Sequence, residues 1–219
     1  MERHFHEELS QLKQRLLTMG GLAEERVQVA IRGLIERDVA LMERVVTGDA
    51  DLNRLHVEVD DRCFKLLALH QPVAGDLRTI VAAVKINNDL ERVGDLAVNI
   101  AEAGQRYVTH PPVKPLIDIP RMADLARAMF HDSLDAFVSL DVTAAQSVLD
   151  RDDLLDDLKD QVFRDLLTYM IGDPRTIEPG LDLVLVSRHL ERVGDHATNI
   201  AEDVIFIAAA RDVRHHKAE

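Results

Sequence analysis

Two pairs of carboxylates four residues apart stand in the same surroundings in this chain. Glu91 and Asp95 lie in Leu90-Glu91-Arg92-Val93-Gly94-Asp95, and Glu191 and Asp195 lie in Leu190-Glu191-Arg192-Val193-Gly194-Asp195, an identical run. The identity resumes at Ala97, Asn99, Ile100, Ala101 and Glu102 against Ala197, Asn199, Ile200, Ala201 and Glu202. Core packing rarely demands the same charged letters twice, so the repeat points to a duplicated site on a duplicated scaffold. On a helix, residues four apart face the same way, and like charges at that spacing repel by a few tenths of a kcal/mol. Such a pair asks for a compensating arginine or a cation. Carboxylate oxygens suit hard or borderline ions: magnesium, manganese, iron or, less selectively, calcium and zinc.

The elements that must position these acids are helices. The seven prolines leave long intervals free of the strongest helix breaker. Within them apolar residues recur at three- and four-residue steps, as in Leu9-Leu12-Leu16, Val27-Ile31-Leu34-Ile35, Leu125-Met129-Leu134 and Leu154-Leu155-Leu158-Val162-Leu166. No hairpin signal between alternating apolar runs appears. The pattern predicts an all-α protein with helices over 3–36, 38–47, 49–70, 73–108, 119–139, 141–150, 152–171 and 177–210. A proline-rich linker at 109–118 separates a first bundle (1–108) from a second (119–219). Each bundle then holds three long helices with a short one inserted. Its hairpin turns at Gln71-Pro72 in the first half and at Gly172-Asp173-Pro174 in the second.

At about 100° per residue, Leu90, Val93, Gly94, Ala97, Ile100 and Ala101 share one side of their helix. Glu91, Asp95 and Glu102 fall within roughly 40° of one another on another side. Gly94 and Gly194 each cost about 1 kcal/mol mid-helix relative to Ala, an expense that a neighbouring backbone at close approach would explain. In an antiparallel hairpin, residues whose numbers have a constant sum lie at equal height. Asp152 is thereby level with Asp195 and Asp156 with Glu191, while in the first half Asp49 is level with Asp95 and Asn53 with Glu91. Four oxygen-bearing residues per half become possible neighbours, although height alone leaves the rotation of each helix unfixed.

Composition narrows the classes. The 219 residues carry a formal charge of −13, which argues against a broad nucleic-acid or anionic-lipid surface and is compatible with attracting cations. Trp is absent and aromatics are scarce, so a base-stacking platform or aromatic cage is not expected. A lone Cys63 has no internal disulfide partner and suits a reducing cytosol. The charged start does not read as a secretory signal, and no apolar run is long enough to span a bilayer. Cys63, on an amphipathic helix, is expected as a small core residue and not a nucleophile. His189 and His196, off the acidic stripe, are expected in surface or packing roles. His215, His216, Arg211, Arg214 and Lys217 are expected in a solvated tail or beside a helix C-terminus, where the basic residues complement the macrodipole. Asp76 and Arg78 read as first-turn charges of a long helix. No Glu-x-x-His occurs anywhere, which removes the chief support for a di-iron oxidase.

The paired Leu-Glu-Arg-Val-Gly-Asp segments continuing to Asn-Ile-Ala-Glu, with Gln71-Pro72-Val73-Ala74-Gly75-Asp76-Leu77-Arg78 ahead of the first and His196-Ala197-Thr198-Asn199 in the second, resemble the PhoU family of phosphate-responsive regulators. The resemblance covers essentially the whole chain. It implies tandem three-helix bundles whose Glu/Asp-x-x-x-Asp motifs bind divalent or trivalent metal ions, including multinuclear iron, with manganese, zinc or magnesium as alternatives. It also implies a cytoplasmic negative regulator that links the ATPase subunit of a Pst-type phosphate ABC transporter to a sensor histidine kinase. Such a protein touches the membrane through partners only, commonly as a homo-oligomer such as a dimer. Carried over by position, the metal residues are Glu91, Asp95, Glu191, Asp195, Asp152, Asp156 and Asp49. Asn53 departs from the acidic pattern and puts a full-strength cluster in the first half in doubt.

A non-enzymatic adaptor is the leading reading, because no Gly-rich phosphate loop, nucleophile–base constellation or cofactor fingerprint is present. The competing reading is a metal-dependent hydrolase whose carboxylate-bound centre activates water. A deep pocket with a free coordination position would favour the enzyme, and a shallow exposed cluster the adaptor.

Overall fold

A computed structural model describes residues 2–48 and 50–210, with side chains described from residue 4 onward. Among these residues the chain is helical and holds no strand. The elements are α1 (Glu2–Glu36), α2 (Val39–Thr47), α3 (Ala50–His70), α4 (Ala74–Val108), α5 (Asp118–Ser139), α6 (Val142–Leu149), α7 (Asp152–Gly172), a one-turn 3-10 helix (Pro174–Thr176) and α8 (Ile177–Ala209). Each half therefore has three long helices and a short one, and the turns from α3 to α4 and from α7 to α8 hold Pro72 and Pro174. The short helices start alike: Asp38 accepts from the amides of Ala40 and Leu41, and Asp141 from those of Thr143 and Ala144, so each aspartate caps the exposed donors of a first turn. Pro120 and Pro179 sit in the first turns of α5 and α8, where a missing N–H costs no helical bond.

The apolar side of the repeated motif is inside. Leu90, Val93, Ala97, Ile100 and Ala101 are buried, as are Leu190, Val193, Ala197, Ile200 and Ala201. The buried apolar side chains of both halves form one continuous cluster. Two residues of the periodic runs turn outward instead: Ile35 and Leu154 are exposed, because a three- and four-residue pattern tolerates an extra apolar residue at its edge.

The segment between the halves is held down. The Arg37 guanidinium donates to the carbonyls of Val108 at 2.7 Å and His110 at 2.5 Å, so that it satisfies acceptors at the end of α4. Val113 and Leu116 pack against the core. Lys114, whose ammonium is largely covered, donates to Asp118 at 3.1 Å and Asp165 at 3.0 Å.

Candidate metal centre

The rotation that height could not fix is fixed by the two motif glycines. A Cβ on Gly194 would stand 2.3 Å from Leu155 Cδ2, and one on Gly94 would stand 3.0 Å from Leu52 Cδ1. The close neighbour is a leucine side chain from the preceding helix, not the backbone that the glycines alone suggested. Each leucine seats in the notch of its glycine and locks α7 on α8 and α3 on α4. Leu155 and Leu52 are equivalent, so Asp152, Asp156 and Lys159 correspond to Asp49, Asn53 and His56.

In the second half this register brings the acids into one field. Lys159, three residues beyond Asp156, donates to Asp156 Oδ1 at 2.9 Å and to Glu191 Oε1 at 3.0 Å, and so bridges α7 to α8. Asp195 feels burial first, then Glu191, Asp152 and Asp156, and its carboxyl is pushed up to about 6 against a weaker opposing pull from His196. Asp152 is raised as well, by burial and then by Asp156, Asp153 and Glu191, while Lys159 pulls it down. Mutual repulsion among four carboxylates is a strained arrangement that a cation relieves. The Lys159 ammonium does so here, and its own pKa is raised by its hydrogen bonds to Asp156 and Glu191 despite its burial.

The first half differs residue by residue. Arg92 reaches Asp95 at 3.2 Å and Glu91 at 3.5 Å, so the pair is balanced within its own helix. His56, in the place of Lys159, turns to Asn88 Oδ1 at 3.2 Å and lies 4.0 Å from Asp60. Asn53, opposite Glu91, is neutral. Asp49 lies outside the described residues, as do Arg211, Arg214, His215, His216 and Lys217.

The donor set of the second half fits a hard cation in charge and chemistry: oxygen ligands, no thiol, and surplus negative charge. It is not a preformed cage. Among the described residues no group of three or more His, Cys, Asp or Glu side chains is arranged to hold an ion, and an incoming metal has to displace Lys159. Lys159 is the residue the sequence reading passed over, although Asp152-x-x-x-Asp156-x-x-Lys159 places it on the face of the two aspartates.

The remaining candidates resolve into packing. His196 Nδ1 lies 2.7 Å from Asp89 Oδ1, across the contact of α4 with α8. Lys85 pairs with Asp203 at 2.8 Å and Arg106 with Asp182 at 2.9 Å across the same contact. The antiparallel crossing follows from these numbers, since 85 with 203 and 106 with 182 share one sum. His189 is held below its usual pKa by burial and then by Arg192, Arg188 and Arg106, so it rests neutral. Cys63 is fully buried, and burial followed by Asp60 pushes its thiol up to about 12, which leaves it unreactive.

The family model of the PhoU domain matches residues 16–104 and 119–204, one copy over each half. The chain belongs to the PhoU family. A phosphate-specific transport system accessory protein PhoU homolog of Caulobacter vibrioides is 43% identical over 205 residues, which span 93% of this chain and 89% of that protein. The homolog of the same name from Aquifex aeolicus is 39% identical, over 95% and 94% of the two chains. The crystal structure of PhoU from Pseudomonas aeruginosa superposes with a TM-score of 0.91 at 36% identity, covering 94% of this chain and all of that one. The phosphate transport system regulatory protein PhoU from Streptococcus pneumoniae gives 0.88 at 27% identity, over 95% and 99%. The repeated motifs, Glu91 to Asp95 and Glu191 to Asp195, fall inside the two matched PhoU segments.

Proposed function

We propose that this chain is an accessory protein of a phosphate-specific transport system, a non-catalytic adaptor between the ATPase subunit of a phosphate ABC transporter and a sensor histidine kinase. In this reading it restrains the phosphate-starvation response from the cytoplasmic side and reaches the membrane only through its partners. The names of relatives that match over nearly the whole chain support the transport role. No helix among the described residues is long and apolar enough to cross a membrane.

The observation that carries the mechanism is the bridge of Lys159 between Asp156 and Glu191, with Asp152 and Asp195 in the same field of negative charge. These residues would hold a metal ion in the second half, with Glu91, Asp95 and Asp49 as a weaker set in the first. A bound ion supplies charge neutralisation and a link between the two helices of a hairpin. The groove beside the cluster, lined by Lys159, Asp160, Phe163, Val184, Ser187, Arg188 and Glu191, is open to solvent along one side. An open groove of this kind suits docking better than enclosure of a reacting substrate.

Elemental analysis of protein purified without chelator tests the metal reading, alongside Glu91→Ala/Asp95→Ala/Glu191→Ala/Asp195→Ala. Stoichiometric iron, manganese or zinc that disappears in the variant is the expected result, and metal-free protein in both cases removes the metal role. The adaptor reading is tested separately. A strain lacking the protein should express a phosphate-starvation reporter in phosphate-rich medium, and wild-type protein should silence it. Unchanged expression on deletion would sink the adaptor.

A further inference from the structure

The contact of α4 with α8 is built twice, because the repeated motif sets α8 on α4 residue for residue and the antiparallel crossing exchanges the two ends. Lys85 with Asp203 and Arg106 with Asp182 fix that crossing, so residues whose numbers share the same sum lie level across it. At one end Asp89 is level with Asn199 and is the shared acceptor of the contact. His196 Nδ1 lies 2.7 Å from its Oδ1, and the Asn199 amide donates to the same oxygen at 3.3 Å. At the other end His189 stands in the place of Asp89, and Asn99 in the place of Asn199. The donor amide is kept and the carboxylate is not. Among the described residues the Asn99 side chain makes no hydrogen bond, and the enclosed Nδ1 of His189 has no partner.

The charge around the two ends also differs. A cleft at the first end is lined by Lys85, Asp89, Asn199, Glu202 and Asp203, three carboxylates to one ammonium. The counterparts at the second end are Leu185, His189, Asn99, Glu102 and Ala103, which keep one carboxylate, the exposed Glu102. Arg188 and Arg106 stand there in place of Asn88 and Phe206. Arg188 and Arg192 are exposed, four residues apart on one face of α8, and neither makes an ion pair or side-chain hydrogen bond with a described residue. Like charges at that spacing repel, so the two together ask for an anion. Arg106 spends only its Nε on Asp182, which leaves both Nη groups without a partner among the described residues. The three guanidinium groups meet at His189, whose pKa is depressed by burial and then by Arg192, Arg188 and Arg106. In the first half Arg92, the counterpart of Arg192, is taken up by Asp95 and Glu91.

We propose that this second end of the α4–α8 contact binds a tetrahedral oxyanion of the phosphate class, held by Arg188, Arg192 and Arg106, with the Asn99 amide and the His189 imidazole as neutral donors. The anion takes the part that the Asp89 carboxylate plays at the first end. Each guanidinium presents paired N–H donors that match two oxygens of such a group. A carboxylate has two oxygens for three guanidinium groups and an amide, whereas a tetrahedral anion has four and can engage them together. A neutral imidazole carries one N–H, and the Nδ1–H tautomer turns His189 into a donor. The acids that make the chain as a whole negative are screened beyond about 8 Å at physiological ionic strength, so the adjacent bases decide which ion is attracted. The site lies on the side of α8 that meets α4, away from the Lys159 bridge to α7, and it calls for no metal.

Calorimetry of inorganic phosphate into full-length protein, stripped of metal by chelator and held at constant ionic strength with chloride, tests the site apart from any metal or adaptor role. Wild type should bind phosphate with a Kd of about 1 mM or tighter. Arg188→Gln and Arg192→Gln should each weaken binding about tenfold or more while circular dichroism stays unchanged. Arg54→Gln, which removes an exposed and already paired arginine of α3, should change it less than about twofold. His189→Asp rebuilds the internal carboxylate of the first end. It should abolish binding and make the midpoint of thermal unfolding indifferent to phosphate, which raises that midpoint in wild type. Acetate should bind wild type about tenfold more weakly than phosphate. Phenyl phosphate separates two sources of the same chemistry: weaker binding than phosphate assigns the free ion, and tighter binding a phosphoryl group carried on a larger molecule, and either upholds the site. No phosphate binding without metal, wild-type affinity in an arginine variant or in His189→Asp, or acetate bound as tightly as phosphate would each overturn the proposal.

Discussion

The two hairpins share a scaffold and a motif yet treat the motif's charge differently. On α3 and α4 the acids Glu91 and Asp95 are balanced by Arg92 from their own helix, and the facing position is the neutral Asn53. On α7 and α8 the acids Glu191 and Asp195 face Asp152 and Asp156, and the compensating ammonium comes from the opposite helix through Lys159. A cation that bridges two helices can be exchanged for another cation; an arginine on the acids' own helix already satisfies them without any bridge. Duplication thus preserved the geometry while one half kept the exchangeable charge. Two pairs at the contact of the halves share one division, with the bases Lys85 and Arg106 from the first and the acids Asp203 and Asp182 from the second, while Asp89 with His196 and Glu24 with Arg127 run the other way.

The largest effect should come from breaking that division. Arg106→Met leaves Asp182, only 8% exposed, without its cation, and should destabilise the protein by about 3 kcal/mol in a urea unfolding titration. Placing the acid in the first half and the base in the second, as Arg106→Asp/Asp182→Arg, should recover part of the loss; no recovery would show that the pair is not the relevant interaction.

The glycine notches sharpen the comparison next. Alanine gains about 1 kcal/mol of helix propensity at either position. At Gly194 the new methyl collides with buried Leu155, whereas at Gly94 Leu52 needs to give only a few tenths of an ångström. Gly194→Ala should therefore lower stability by about 2 kcal/mol and Gly94→Ala by less than about 0.5, read from the midpoints of thermal unfolding. Equal effects would mean that the two hairpins are packed alike.

Lys159→Gln removes the resident ammonium. It should weaken the metal-free fold slightly and tighten manganese binding about tenfold in calorimetry, because nothing then has to be displaced. Substituting His56 by Gln, its counterpart, should leave manganese affinity within about twofold. A wild-type affinity in Lys159→Gln would detach the lysine from the site.

The smallest effect concerns Asp195. A carboxyl raised to about 6 in the fold holds its proton more tightly than the unfolded chain does, so the contribution of Asp195 to stability is fullest below about pH 4 and is lost as the pH rises through about 6. Asp195→Asn should abolish that decline and stabilise the metal-free protein at pH 7 by about 1 kcal/mol, a figure reduced for the group's access to solvent. Asp95→Asn, which forfeits the contact with Arg92, should bring no gain. If the proposed metal site is real, manganese binding should weaken below about pH 6 in calorimetry, where protons compete for Asp195.

Much of this molecule is legible in its letters. Proline positions and three- and four-residue spacing place all eight helices within one or two residues of their observed ends, because helix limits are set locally by caps, breakers and periodicity. The paired motifs single out Glu91, Asp95, Glu191 and Asp195 as candidates, and the equal-height rule sets Asp152 and Asp156 level with the second pair, because both helices of a hairpin rise equally from the turn between them. What a helix face meets is another matter, since periodicity says which side is apolar and nothing about its neighbour. That Leu155 fills the notch at Gly194, that Lys159 rather than Arg192 balances the second cluster, and that Asp89 finds His196 more than a hundred residues away were decided by rotation and packing in the tertiary structure. The same holds for Phe163, Leu167, Leu181 and Leu185: each reads as one more apolar letter on a helix, and only the folded hairpin leaves them exposed.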